Sequence, residues 1–203
     1  EYVDTAERLL DRSRRPALIL VMGRSGTGKT YLASRLAPLL DAVHLRSDVE
    51  RKRLAGLGER DRSGSGIDSG LYTPENTERL YAHLAETAEL VLTAGCSVIV
   101  YATFGARARR LRMTQLARQL GVPLHVIVCE APTSLLHERL QRRQAEGRDA
   151  SEADARVLEW QLQHDEPIHA SEELGELRFD TSGNLDAARL EALAASTGGI
   201  RSR

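Results

Sequence analysis

The sequence predicts an α/β protein in which a parallel sheet carries helices on both faces. Short apolar runs alternate with longer helical patterns along most of the chain, the pattern of strands joined by crossover helices. The first such run passes through a glycine-rich turn straight into a helix. A chain of 203 residues with 41% hydrophobic content is long and apolar enough for one substantial core.

Residues 17–21 form the first strand, bounded by Pro16 and Gly23, and a helix follows over about 29–40. Residues 42–45 are a short second strand leading into Arg46-Ser47-Asp48. The polar, glycine- and serine-rich stretch 56–70 is a loop, and loops of that length in compact domains tend to be functional or disordered. Thr73-Pro74-Glu75-Asn76 reads as a helix start, with Thr73 as N-cap and Pro74 at the first helical position, where its missing N–H costs nothing. That helix extends to Ala94 and is closed by Gly95. A third strand at 97–101, a helix over about 106–120 stopped by Gly121, and a fourth strand at 124–129 come next. Two charged helices near 133–145 and 151–164 flank residues 146–149; a last strand at 177–180 and a last helix at 184–194 complete the pattern. No repeat or linker divides the chain, so one domain is expected over 1–195, with a flexible tail at 196–203.

The 28 basic and 29 acidic residues leave a net charge of -1, which argues against a protein built to coat nucleic acid or anionic lipid. Only two of the basic residues are lysines, Lys29 and Lys52. Compositional bias accounts for the arginine excess, and Lys52 is expected on a solvated face. The helix bearing Arg107, Arg109, Arg110 and Arg112 reads as a solvated face too, because 4% aromatic residues offer few stacking platforms for single strands. No apolar run approaches the roughly 20 residues that span a bilayer, and no secretory signal precedes the first strand. Cys96 and Cys129 lie in or beside apolar runs as buried free thiols, and the histidines form no metal pattern; a cytoplasmic location is the default. Glu1 in place of Met is what a trimmed chain, or a domain cut from a longer one, would show.

The strongest signal is Gly23-Arg24-Ser25-Gly26-Thr27-Gly28-Lys29-Thr30, a full G-x-x-x-x-G-K-[ST] match between a buried strand and a helix. Its glycines let successive amides face one anion, and the helix start adds a positive dipole end. Lys29 reaches the terminal phosphates, and the Thr30 hydroxyl joins a Mg²⁺ shell. This implies ATP or another nucleoside triphosphate with Mg²⁺, without separating a kinase from an ATPase, a GTPase or a switch. Nineteen residues after Lys29, at the end of the second strand, Asp48 faces the same crevice. A carboxylate there can take the proton of an attacking hydroxyl and contribute to the metal shell. Arg51, one turn on, shares its helix face and is placed to hold an anionic substrate group.

The phosphate loop and the Ser47-Asp48-x-x-Arg51 segment resemble the small P-loop kinases, a group that includes gluconate kinases, zeta toxins and the kinase domain of polynucleotide kinase. Residues 45–53, 70–75, 98–104 and 151–154 are more closely similar to the AAA_33-type ATP-binding domain, often fused behind an aminoglycoside-phosphotransferase-like domain. The resemblance runs from about 17 to 183. It implies a five-stranded parallel sheet ordered 2-3-1-4-5 with a mobile, arginine-bearing lid at about 133–165. On the predicted lid helix Arg139 and Arg143 are i and i+4, able to converge on the triphosphate, with Arg142 at i+3 as a substitute for either. By the same resemblance Thr181 and Ser182 lie beside the base, and Tyr72 joins Asp48 and Arg51 on the substrate side. One position departs from the family: Tyr101 stands where an Asp is usual, and a phenol that titrates near 10 supplies no negative charge at neutral pH.

These residues lead to an expected ATP-dependent phosphotransferase acting on a small hydroxyl-bearing acceptor. The alternative is a nucleotide-sensing module that regulates a fused or associated domain, which Tyr101 favours slightly. A toxin-like kinase acting on a nucleotide sugar would differ from the first only in its acceptor.

Overall fold

In a computed structural model, which describes residues 15–146 and 149–197, the run Leu-Ile-Leu-Val-Met of β1 (Leu18–Met22) is buried at every position. It shows no polar alternation because it is the central strand and both its faces are covered. It lies between β3 (Ser97–Ala102) and β4 (Leu124–Glu130), with β2 (Ala42–Arg46) and β5 (Leu177–Asp180) at the edges. The order β2-β3-β1-β4-β5 is the expected one, and every pair is parallel. The described helices are α1 (Lys29–Leu40), α2 (Ser47–Leu54), α3 (Pro74–Thr93), α4 (Arg107–Leu120), α5 (Thr133–Glu146), α6 (Ala155–His164) and α7 (Ala187–Ser196).

Strand residues alternate between two cores, as the period of two requires. Leu18, Leu20, Val98 and Val100 pack with Leu80 and Leu84 of α3 and Met113 of α4. Ile19, Val21 and Ile99 pack on the other face with Leu32 and Leu36 of α1 and Leu190 and Leu193 of α7. A third, small core of Leu136, Leu140 and Leu158 holds α5 to α6, so these two helices carry an apolar seam of their own. Because all five strands run the same way, their carboxyl ends share one edge, and the site is built there.

Several local readings are met to the residue. Thr73 caps α3 by accepting from the Asn76 N–H at 3.3 Å, with Pro74 at the first helical position. Gly121 ends α4 in the left-handed conformation. Others change. The helix expected from 151 starts at Ala155, capped by the Asp154 carboxylate, which accepts from Val157 N–H at 3.1 Å. Residues 149–153 are held out of the helix by partners elsewhere: Arg46 donates to Asp149, and the Ser63 amide and hydroxyl both donate to Glu152 at 2.9 Å. At the other end α7 continues to Ser196, and Thr197 is buried, its hydroxyl donating to the Ala194 carbonyl at 2.9 Å. The rest of the expected tail, 198–203, lies outside the described residues, as do 1–14, Gly147 and Arg148.

Two charged residues expected on solvated faces are in the interior. Lys52 is 2% exposed; its ammonium donates to the Glu59 carbonyl at 3.0 Å and lies 3.5 Å from Glu152. Chain returning over α2 covers it and supplies those partners. Arg110 is 1% exposed and forms a two-pronged pair with Glu172, both contacts at 2.8 Å. Its remaining N–H groups reach the carbonyls of Phe104, Glu166 and Pro167 at 2.9–3.1 Å, so the buried charge is fully hydrogen-bonded. Among the described residues, no helix is long and apolar enough to cross a membrane, and no group of three or more His, Cys, Asp or Glu is arranged to hold a metal ion.

Candidate active site

The phosphate loop begins where Gly23 leaves β1 with φ +141°. A Cβ there would lie 2.5 Å from the Cys129 carbonyl oxygen and 2.9 Å from Thr27 Oγ1, so the close approach of β4 admits only glycine. The loop ends at Gly28, the left-handed N-cap of α1, which offers no side chain to the helix. The first-turn amides therefore have no side-chain partner and open, with the positive helix end, onto a cleft of about 1190 Å³. Lys29 is held inside the loop, its Nζ donating to the carbonyls of Gly23 at 2.6 Å and Arg24 at 2.8 Å. Uncapped amides, a half-buried ammonium and a hydroxyl on Thr30 facing one cleft are the donor set that a triphosphate requires.

Burial pulls the Lys29 pKa down to about 8, against opposing pulls from Cys129 and Asp48. The ammonium is the form that attracts phosphate, and it is present below that pH and lost above it. Triphosphate affinity is accordingly expected to stay level up to about pH 8 and then to fall towards about tenfold per pH unit. Titrations with a fluorescent ATP analogue from pH 6.5 to 9.5 check this, and a flat profile through pH 9.5 would mean that Lys29 keeps its ammonium above that pH.

Behind the loop, contacts from distant chain fix its shape. The Ser25 amide donates to Gln161 Oε1 on α6 at 2.8 Å, and Arg24 Nε lies 3.3 Å from Asp165 just beyond that helix. The Thr27 hydroxyl donates to the Arg24 carbonyl at 2.8 Å. Thr181 is buried at the end of β5, with its hydroxyl 2.9 Å from the Thr27 carbonyl and 3.0 Å from that of Glu130. Ser182 beside it folds its amide and hydroxyl onto Asp180 at 2.8 and 2.9 Å.

Asp48 sits in the first turn of α2 rather than at the cap, which is Arg46, so no helix amide consumes its carboxylate. It is 30% exposed and faces the cleft, with Arg46 Nη2 at 3.9 Å. Arg51, one turn on, donates to the Leu71 carbonyl at 2.7 Å and the Thr77 hydroxyl at 3.2 Å, its guanidinium carbon 4.6 Å from the Tyr72 ring centroid. Burial pushes the Tyr72 phenol up to about 12. Tyr101 is also pushed up to about 12 by burial, with its ring 6.0 Å from and parallel to that of His44. From α5, Arg139 reaches across the loop, donating to the Thr181 carbonyl at 2.6 Å and the Gly26 carbonyl at 3.3 Å. Arg143 donates to the Ala153 carbonyl.

Ser25, Gly26, Gly28, Lys29, Thr30, Asp48, Arg51, Tyr72, Arg139, Arg143, Thr181 and Ser182 all line one cleft, as does Arg142. Gly23, Arg24 and Thr27 shape the loop from behind and do not line it. The sequence reading missed Gln161, Asp165, Asp149 and Glu152. Their partners lie about 90 to 140 residues away in the chain, and no local pattern marks them.

A sheet ordered 2-3-1-4-5 with a glycine-rich phosphate loop after its central strand is a P-loop NTPase fold, and residues 18–168 match the AAA_33 family, an AAA domain. The chain belongs to the AAA_33 family. This AAA_33 domain is 32% identical over 145 residues, 70% of its length, to an uncharacterized protein of Mycobacterium tuberculosis. It spans only 28% of that relative. It is similar to a candidate kinase from Chloroflexus aurantiacus, with TM-score 0.69, 25% identity and coverage of 91% of this chain and 99% of that one. A gluconokinase from Sinorhizobium meliloti gives TM-score 0.61, 22% identity and coverage of 89% and 91%. Chaetomium thermophilum Kti12 in complex with ADP-AlF3 gives TM-score 0.67, 16% identity and coverage of 91% and 100%. The AAA_33 domain thus has the kinase-like form of the P-loop NTPase fold.

Proposed function

We propose that this AAA_33 domain is an ATP-dependent phosphotransferase that moves the γ-phosphate of ATP to a hydroxyl of a small acceptor. The observation that carries the reading is the shared cleft: the phosphate loop, a carboxylate not spent on capping, and arginines from α5 all face it. Lys29 and the amides of Gly26 and of residues 28–30 bind the triphosphate; the Thr30 hydroxyl and the Asp48 carboxylate are the groups that would hold Mg²⁺. Mg²⁺ bound there would neutralise charge on the β- and γ-phosphate oxygens. Asp48 accepts the proton of the attacking hydroxyl, and Arg51 orients the acceptor. Arg139 and Arg143 balance the charge that develops on the transferring phosphoryl group, so catalysis rests on alignment and electrostatics. Helices α5 and α6, with their own apolar seam, form the lid that excludes water.

A second reading, a nucleotide-sensing module of a longer protein, draws its support from Tyr101, which is neutral at the strand end where the family usually carries a carboxylate. Incubation of the domain with γ-labelled ATP and a panel of hydroxyl-bearing small molecules tests between them. Label on an acceptor is the expected result; tight ATP binding with no transfer to any compound would replace the phosphotransferase by the sensor. Tyr101→Asp is expected to raise ATP turnover about tenfold by adding a carboxylate beside the metal site. Unchanged turnover in a folded variant would remove Tyr101 from the chemistry.

A further inference from the structure

The cleft that Asp48 lines also contains two guanidinium groups set on tyrosine rings. Arg51 lies over Tyr72, and Arg109 of α4 lies over Tyr81 with its guanidinium carbon 4.8 Å from the ring centroid. Both arginines line the cleft with Thr77 and Thr103, and the Thr103 hydroxyl is 3.3 Å from that of Tyr81. Among the described residues Arg51 has no carboxylate within 4.0 Å; its two hydrogen bonds go to a carbonyl and a hydroxyl through a single nitrogen, Nη1. The rest of its fork is free towards the cleft. Arg109 spends Nε on the half-exposed Glu78 at 3.2 Å, which leaves the far edge of its guanidinium available. Burial draws Arg51 down from its ordinary pKa, and the positive charge of Arg109 pulls in the same direction. Two cations that repel one another in a partly buried wall, one of them without a counter-ion, are stabilised by an anion that bridges them.

We infer that Arg51 and Arg109 together seat an oxyanion of the acceptor, so the molecule phosphorylated is a hydroxyl compound that already bears a phosphate or a carboxylate. The inference rests on the phosphotransferase reading for the word acceptor, while the seat itself is a binding property. The tyrosine rings fix the height of each guanidinium, and the Thr77 and Thr103 hydroxyls add neutral hydrogen-bonding groups for the remainder of the molecule. A neutral polyol would leave the unpaired fork of Arg51 unanswered.

The test uses the full chain loaded with Mg²⁺ and AMPPNP, which fills the phosphate loop, titrated with glycerol, glycerate and glycerol 3-phosphate. At least one charged compound is expected to bind tenfold or more tightly than glycerol, and the stronger of the two tells carboxylate from phosphate. Arg109→Gln is expected to weaken the charged compound by about 10- to 100-fold, the loss of one or two charge-assisted hydrogen bonds. In turnover with the charged acceptor that loss is expected in KM rather than kcat. Arg109→Lys keeps the charge without the fork and serves should the Gln variant fail to fold; it is expected to lose part of the preference. Equal binding of glycerol and both charged compounds, or charged binding indifferent to both substitutions, would overturn the seat. Labelled ATP then separates the two levels. Transfer that favours glycerol overturns the seat and keeps the phosphotransferase. Charged binding that depends on Arg109, with no transfer to any of the three or to any member of the wider hydroxyl panel, keeps the seat and removes the phosphotransferase.

Discussion

Asp48→Asn is expected to lower phosphate transfer by about 10²- to 10⁴-fold, the range for losing a positioned general base. The amide keeps the size and shape of the carboxylate but cannot take a proton from an attacking hydroxyl. The substitution leaves the helix start intact, because α2 is not capped by Asp48 and Arg46 keeps its contact with Asp149. Nucleotide affinity is expected to fall far less than transfer, since Lys29 and the amides of the loop are untouched. The ammonium of Lys29 loses one neighbouring negative charge, which shifts its titration further below the ordinary lysine value. Single-turnover transfer from labelled ATP, beside a fluorescent-nucleotide titration and a thermal melt, separates these effects. Undiminished transfer would remove Asp48 as the base. Equal losses in binding and transfer would make it a metal ligand first.

Arg110→Ala is expected to cost about 3–5 kcal/mol, because it leaves Glu172 buried without its counter-ion. For a chain of this size that corresponds to a drop of roughly 10 °C in melting temperature. The pair is 1% and 0% exposed, and Arg110 also holds the carbonyl of Phe104, a non-glycine residue at φ +52°. It therefore joins the turn after β3 to residues 166–172, which follow α6. Replacing both members, as Arg110→Met with Glu172→Leu, is expected to recover much of the loss by trading a charge pair for apolar volume. Hydrogen bonding to Arg110 holds the Glu172 carboxyl below its usual range. A depressed carboxylate contributes stability at neutral pH, which is lost as pH falls through that lowered pKa. The gap between wild type and Arg110→Ala should therefore narrow as the pH falls from neutrality towards that lowered pKa. Urea denaturation of both proteins from pH 3 to 7 measures it, and a difference below about 1 kcal/mol at pH 7 would reduce the pair to the worth of an exposed ion pair.

Much of the site could be read directly from the chain. The loop at 23–30 is defined by covalently near residues: a strand, glycines that accept positive φ, and a lysine at the helix start. The start of α3 at Thr73-Pro74 is equally local. Asp48 and Arg51 share a helix face by spacing alone, and Arg139 and Arg143 do likewise. What could not be read was which charges the fold encloses. Arg107, Arg109, Arg110 and Arg112 look alike on a helical pattern, yet Arg110 alone meets Glu172, 62 residues on. Lys52 was expected in solvent because nothing near it in sequence hides it, and it is enclosed by residues 59 and 152.

The sequence by itself determined the strand–loop–helix unit that cradles phosphate and the alternation that makes a parallel sheet, because both arise from interactions within a few residues. Only the tertiary structure decided that Gln161 clasps the phosphate loop, that Asp149 and Glu152 hold chain out of α6, and that Arg51 and Arg109 line the same cleft. The reason is the same in each case. A polar side chain carries its charge and reach in its own chemistry, but its partner is fixed by which distant segments the packed sheet brings alongside it.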